Sequence, residues 1–276
     1  LAATGALGPH VPASALINQN LSRKSVFAKN KDKKTEKKKE SFSESVSGIA
    51  AVLVLGLFIL TFIVQAFEIP SGSMENTLLV GDHVFVDRLT PMARGGLFGW
   101  LMPYRQVKRG DIIVFLHPKE HGMYVVKRVM GIPGDRIHLQ NGVVYRNGEP
   151  LSEPYLLRQG TASDYRENFP RGMSYEVASD WPIEMSAHVQ NGELVVPPDS
   201  YFGMGDHRDV SLDSRYWGFI PRDHIVGRPL FIYWSFVTPS DQYERRDMGD
   251  RVGFLLHTVV HFFDQTRWNR MFHRVY

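Results

Sequence analysis

The sequence predicts a mainly β protein: a domain of twisted sheets, closed on one core, behind a single N-terminal transmembrane helix. Three observations carry this expectation. Ser45 to Phe67, between Glu44 and Glu68, contains no charged residue. The chain beyond it consists of short extended runs separated by turn signals. No long helical period interrupts those runs between residues 75 and 240.

The uncharged stretch reads as a membrane anchor over 45–67. Its core, Ile49 to Phe67, has only Thr61 and Gln65 as polar residues. Nineteen residues at 1.5 Å each reach roughly 28 Å, about one hydrocarbon core. A buried core helix is the bland alternative, but this run is apolar all round and longer than most core helices. A cleaved signal peptide is the other alternative, but more than forty residues precede the run. The lysine-rich segment 29–40 lies before it, and Lys and Arg stay on the cytoplasmic side. Residues 1–44 are therefore expected as a cytoplasmic, disordered basic tail in reach of anionic lipid. Residues 68–276 are expected outside.

Residues 68–240 form the expected β domain. Residues 83–87 (HVFVD) alternate, and 111–116 (DIIVFL) and 124–130 (YVVKRVM) are β-rich. Residues 136–140 and 143–147 flank Asn141-Gly142, a pair suited to a type I′ hairpin turn. Residues 231–236 (FIYWSF) are a further strand. Residues 152–193 are polar and irregular and read as an insertion with short strands. In the tail, 241–276, Val252, Leu255, Leu256, Val259, Val260 and Phe263 recur at three and four, as in a short amphipathic helix. Packing on the domain is the expected role of this helix. Lying on a membrane surface is the alternative.

Composition excludes several chemistries. The chain of 276 residues is 43% apolar, enough for a packed core. It has no Cys, so a thiol nucleophile, a thiolate metal site and disulfides are ruled out. Net charge is +3, yet residues 23–40 alone hold nine Lys or Arg. The body is thus close to neutral, which argues against nucleic-acid binding. No metal-binding spacing such as H-E-x-x-H occurs, and no cofactor is expected.

A nucleophile candidate stands just after the anchor, in Ser71-Gly72-Ser73-Met74. A serine hydroxyl needs a base. None of the eleven His has a motif suited to that role, and no G-x-S-x-G elbow surrounds Ser73. A lysine can serve if it is neutral. An ordinary Lys is neutral about four times in ten thousand at pH 7, while a pKa near 8 leaves about a tenth neutral. That demands a lysine inside an apolar strand, and Lys127 in 124–130 fits, while a solvated strand face is the ordinary reading of a lone Lys. Strand alternation puts Lys127 and Arg128 on opposite faces, so one of the two should point inward.

Four segments in order carry a family resemblance. They are Pro70-Ser71-Gly72-Ser73-Met74 with Thr77-Leu78 and Gly81-Asp82; residues 109–115 (RGDIIVF); Lys127-Arg128-Val129 with 131–135 (GIPGD); and 205–218 (GDHRDVSLDSRYWG). Behind an anchor, this array resembles the type I (leader) signal peptidases, membrane-bound Ser-Lys proteases that remove signal peptides from exported proteins. The resemblance spans roughly residues 46–237. By position it implies Ser73 as nucleophile and Lys127 as general base. It implies that the Ser71 hydroxyl joins the Ser73 N–H in an oxyanion hole. It makes Ser211 the serine that orients the lysine, and Asp213 with Arg215 a structural ion pair. Ile69, Pro70, Met74, Leu78 and Val126 become candidates for the substrate pocket walls. The implied partners are preprotein signal peptides of Ala-x-Ala type and membrane lipid, at the outer face of a bacterial cytoplasmic membrane.

The sequence departs from the family pattern at Asn76, where Pro is usual, and at His207 and Val210, where Asn is usual. Two other readings are weaker. Self-cleaving SOS-type repressors share the dyad chemistry but carry a DNA-binding module and no anchor. An inactive anchored β domain could bind extended peptides by strand addition, but Ser73, Lys127 and Ser211 are all intact.

Overall fold

A computed structural model describes residues 42–88, 105–158, 167–171, 178, 180–243 and 247–276. The lysine-rich tail expected over 1–44 lies almost wholly outside the described residues. The chain divides into two units at Leu53 and Val54. The described part of the first is the opening of helix α1 (Phe42–Phe58). Glu44–Thr61 is long and apolar enough to cross a membrane by length and composition, and none of it is buried.

In the second unit the helix ends earlier than the anchor expected to Phe67. Ile59–Ile63 winds into a π-helical turn, and Val64–Glu68 is strand β1. The reason is the free edge of β2 (Asp82–Asp87), which pairs antiparallel with it from Val64–Asp87 to Glu68–His83. A run of β-branched and aromatic residues satisfies a sheet edge as readily as a helix, and the ladder decides.

The domain is mainly β, as expected, and it is built from two antiparallel sheets. The remaining strands of the larger sheet are β3 (Ile112–Leu116), β4 (Tyr124–Gly131), β10 (Ser200–Met204), β11 (Ile220–Pro221) and β12 (Ile225–Ser235). Their order is β1-β2-β12-β3-β4-β10-β11. The smaller sheet has β5 (Arg136–Gln140), β6 (Val143–Arg146), β7 (Glu149–Pro150), β8 (Val189–Gln190) and β9 (Glu193–Val195), in the order β7-β6-β5-β9-β8. Asn141 and Gly142 turn the β5–β6 hairpin with positive φ at both residues. Asn147-Gly148 and Asn191-Gly192 turn β6–β7 and β8–β9 in the same way.

Strand β3 joins two cores. Ile112 and Val114 pack with Ile69, Met74, Leu78, Val84, Val86 and Ile232. Ile113 and Phe115 point the other way, into the larger core that also contains Val129, Phe202 and Trp217. Burial on both faces explains why β3 reads as an unbroken apolar run. Within the insertion expected over 152–193 with short strands, the described residues hold the short strand β8 and, in addition, helix α2 (Trp181–His188). Trp181 is its fully buried anchor and donates Nε1–H to the Arg215 carbonyl at 3.0 Å. Pro182 suits the first turn, where the backbone N–H is spare.

The tail forms the expected amphipathic helix, α3 (Met248–Val260), followed by α4 (Phe262–Gln265). Its last residues then run along β12, through bridges Phe236–Thr266 and Phe231–Arg274. Arg270 fastens this run to Asp82, a fully buried carboxylate, at 2.5 and 3.1 Å. Asp82 also accepts from the Ser235 hydroxyl and the Leu79 N–H. A buried carboxylate without such donors would be strongly unfavourable, so the tail belongs to the fold of the domain.

Candidate active site

Ser73 sits on a single 3-10 turn, Gly72–Met74, directly after the extended Ser71. Met74 and Leu78 are buried beneath it, and the Thr77 and Leu78 N–H groups both bond the Met74 carbonyl. The turn is clasped from the opposite side. His207 N–H donates to the Ser73 carbonyl at 3.1 Å. Gly205 lies against the same carbonyl, where an added Cβ would stand 2.4 Å from it and 2.3 Å from Ser211 Oγ. A side chain at 205 would therefore displace the turn. Ser73 is left partly exposed.

Strand β4 brings the lysine. Register pairs Lys127 with Ile113 and Val126 with Val114, so Lys127 emerges from apolar strand surroundings. Its side chain is almost fully buried, at 3% exposure, and Nζ lies 2.6 Å from Ser73 Oγ. Burial lowers its pKa to about 8, against an upward pull from the Asp213 charge and a further lowering by Arg215. Arg128, its neighbour, is also buried, so both cations of this strand point into protein on opposite faces. Arg128 forms a bidentate pair with Asp206, at 2.8 Å each, beneath the Tyr155 ring.

The expected role of Ser211 meets a different bond. Its hydroxyl donates to Asp213 Oδ2 at 2.8 Å, and among the described residues Lys127 Nζ bonds Ser73 alone. Asp213 and Arg215 form the expected buried ion pair, Nε–Oδ1 2.8 Å and Nη2–Oδ2 2.9 Å. Burial pushes the Asp213 carboxyl up, but the Arg215 charge and hydrogen bonds outweigh it, and the net shift is downward. Asp213 also accepts the Gly205 N–H at 3.0 Å. Ser211 is thus joined to the site through Asp213, which also holds the Gly205 N–H. The Ser71 hydroxyl stands 3.5 Å from Ser73 Oγ, on the same exposed rim.

A groove of about 740 Å³ runs past both groups. Of the residues proposed for the pocket walls, Ile69, Pro70, Met74 and Val126 line it. Leu78 does not. It is fully buried in the core below, where it supports Met74. Phe67, Tyr124, Leu212 and Trp217 line the groove as well and escaped the sequence reading. Two of them carried a signal. Phe67 shares a strand face with Ile69, and Tyr124 shares one with Val126. His117, another wall residue, accepts the Lys119 and Glu120 N–H groups at Nδ1 and packs edge-on to Trp217.

The departures are explained locally. Asn76 adopts φ +90°, a value closed to proline, and its amide donates to the Tyr155 carbonyl at 3.0 Å. His207 is buried with Nδ1 3.3 Å from the Glu75 carboxylate. Val210 is exposed on the groove wall. Among the described residues no group of His, Asp and Glu could hold a metal ion. The arrangement supplies a hydroxyl, a dry amine that is neutral above about pH 8, and an apolar trough for an extended chain.

The chain is similar to known proteins over most of its length. The signal peptidase, peptidase S26 family matches residues 42–234. A signal peptidase I of Aquifex aeolicus is 33% identical, over 68% of this chain and 83% of its own length. One of Pseudomonas fluorescens is 33% identical over 68% and 71%. One of Buchnera aphidicola is 28% identical over 86% and 89%. A crystal structure of a signal peptidase I from Enterococcus faecalis is 30% identical and aligns over 45% of this chain and 97% of its own, with a TM-score of 0.35. The match over residues 42–234, more than half of the chain, means that the chain belongs to the signal peptidase family, peptidase S26.

Proposed function

We propose that this chain is a membrane-anchored serine endopeptidase that removes signal peptides from preproteins, with Ser73 as nucleophile and Lys127 as general base. The observation that carries the proposal is the 2.6 Å contact between Ser73 Oγ and a buried Lys127 Nζ whose pKa is lowered to about 8. In the reaction Ser73 Oγ attacks the scissile carbonyl carbon while its proton passes to the neutral Nζ. The carbonyl oxygen becomes an oxyanion, held by the Ser73 N–H and the Ser71 hydroxyl. Collapse breaks the C–N bond, and Lys127 returns the proton to the leaving amine. The resulting acyl-enzyme is hydrolysed by a water that Lys127 deprotonates in turn. Asp213 and Arg215 keep the lysine pocket ordered, and Ser211 acts through them. The reading of an inactive peptide-binding domain has no observation in its favour.

The position of the site within the chain supports a substrate that is itself membrane-held. Anchoring both partners replaces a three-dimensional search with a planar one and raises effective concentration. The lysine-rich segment before the candidate span supports a cytoplasmic tail and a catalytic domain on the outer face of a bacterial inner membrane. Protease added to spheroplasts is expected to digest the domain after residue 68 and spare the tail, whereas a protected domain would reverse this topology.

The dyad gives a signed pH dependence. Lys127 is active as the neutral amine, so kcat/KM is expected to rise with pH through about 8. Ser73→Ala and Lys127→Ala should each abolish cleavage, and the double variant should be no worse than either, as for groups acting as one unit. Lys127→Arg should be inactive, since Arg stays protonated. Rates measured on a preprotein from mildly acidic to mildly alkaline pH check this. A flat profile, or near-normal turnover by Lys127→Ala, would remove the lysine from its role.

The groove supports a preference for small residues, the Ala-x-Ala pattern. Ile69, Met74 and Val126 crowd the approach to Ser73, so a methyl group fits where a larger side chain would hold the carbonyl away from its donors. Misplacement by about an ångström can cost roughly a hundredfold in rate. Replacing Ala by Leu just before the cut should therefore nearly stop cleavage with little loss of binding. Equal rates for Ala and Leu would show that these residues do not restrict the pocket.

A further inference from the structure

We propose that His117 is a positioning residue for the cleavage reaction: its neutral imidazole closes the turn between β3 and β4 and so fixes one wall of the groove, and a proton on the ring releases that wall. The inference rests on the reading of the groove as the substrate channel served by Ser73 and Lys127. His117 follows directly on β3, and β4 begins at Tyr124. The His117 backbone N–H donates to the Met123 carbonyl at 2.8 Å. Its Nδ1 accepts the N–H groups of Lys119 at 3.2 Å and of Glu120 at 2.9 Å. A ring nitrogen that accepts carries no proton, so the ring is the Nε2–H tautomer. One residue thereby ties the start, middle and end of the connection.

The wall that depends on this turn belongs to the reacting site. His117, Glu120, Met123 and Tyr124 all line the groove that passes Ser73 and Lys127. At the end of the connection the Tyr124 ring meets Phe67 of β1 edge-on, with centroids 5.1 Å apart. From Tyr124 the same strand runs on to Lys127. The His117 ring itself packs edge-on to Trp217 at 5.2 Å. A turn that opens carries Met123 and Tyr124 with it. A shift of about an ångström in the groups that place a substrate can cost roughly a hundredfold in rate.

Protonation reverses the chemistry of the turn. Nδ1 would gain a hydrogen where two N–H groups already point, so both bonds are lost and three donors face one another. Burial is the largest influence on the ring and holds its pKa below the ordinary histidine value. Glu120, on the same turn, pulls it upward, and Lys127, on β4, pulls it down. Lys119 is engaged by Asp180 and Glu184. Trp217, from the short helix Ser214–Trp217, presents an indole that does not titrate. His224 has its Nδ1 against the Leu116 carbonyl, at 3.1 Å. The reaction therefore needs two groups free of their extra proton: Lys127 as the base and His117 as the closure of the wall.

The slope of the acid limb tests this. kcat/KM of the full chain in detergent micelles would be measured on a preprotein from about pH 5 to about pH 9. One missing deprotonation lowers kcat/KM about tenfold per pH unit, and two lower it about a hundredfold. The Lys127 step is expected below about pH 8. Below the ordinary histidine value of about 6.5 the limb should steepen to the second slope. His117→Ala should lose about tenfold, chiefly in KM, because substrate placement suffers before the dyad does. His117→Asn keeps an acceptor for the N–H two residues on and takes no proton. It should recover most of that loss and show a single slope throughout. A single slope in the unaltered chain, or a steep limb that persists in His117→Asn, would overturn the inference and leave the dyad in place. A profile flat through about pH 8 would remove the dyad, and this inference with it. The ring gives a second reading that needs no turnover. Nitrogen-15 shifts at about pH 8 should show Nδ1 bare and Nε2 protonated, and a proton on Nδ1 would equally overturn the inference.

Discussion

Burying an amine beside a hydroxyl is the constraint on which the rest of this domain depends. Lys127 is 3% exposed and Nζ lies 2.6 Å from Ser73 Oγ. An ammonium in that position would be desolvated without a carboxylate in contact, which is why its pKa falls to about 8. The sign for stability follows. The charged form is disfavoured in the fold, so its cost is present below about pH 8 and is relieved as pH rises from there toward the ordinary lysine value. The fold accepts that cost, and the larger cores of β3 and β4 supply the offsetting burial.

The neighbouring carboxylates show how the lysine stays without an ion pair. Asp206 is taken by Arg128, Asp213 by Arg215, and Glu153 by Arg208. Each arginine remains charged and fixes its partner with two hydrogen bonds, a geometry that an ammonium cannot replace. Asp213 then has donors from Arg215, Ser211 and Gly205 rather than from Lys127. The same pairs hold the backbone that positions Ser73, because Asp206 also accepts from Thr77 at 2.5 Å, and the following residue, His207, bonds the Ser73 carbonyl. Electrostatic isolation of the amine and placement of the hydroxyl are therefore one arrangement.

Much of this was legible in the sequence. Lys127 fitted an apolar strand but stood out from an ordinary solvated strand face only through the family resemblance, and Ser73 stood out because its tetrapeptide follows a membrane-length run. The strands at 83–87, 111–116 and 124–130 appear where alternation and β-branching put them. The end of the helix was not legible, because hydropathy cannot separate lipid contact from a sheet edge, and so Phe67 was counted with the anchor instead of the groove. Helix α2 was hidden because its short sequence has little periodicity and rests on one buried Trp181. The choice of Asp213 over Lys127 by the Ser211 hydroxyl is a matter of rotamer and distance that spacing does not encode. The place of Leu78 below the groove likewise depends on the turn after Ser73.

Lys127 loses its proton well below an ordinary lysine, which makes a neutral amine available to Ser73, and its own titration measures this. Carbon-13 at Cε of the lysines reports each ammonium separately as pH is raised. The account predicts one resonance titrating near pH 8, absent from Lys127→Met, while the others titrate near the ordinary lysine value. A Lys127 resonance that titrates with the exposed lysines would contradict it.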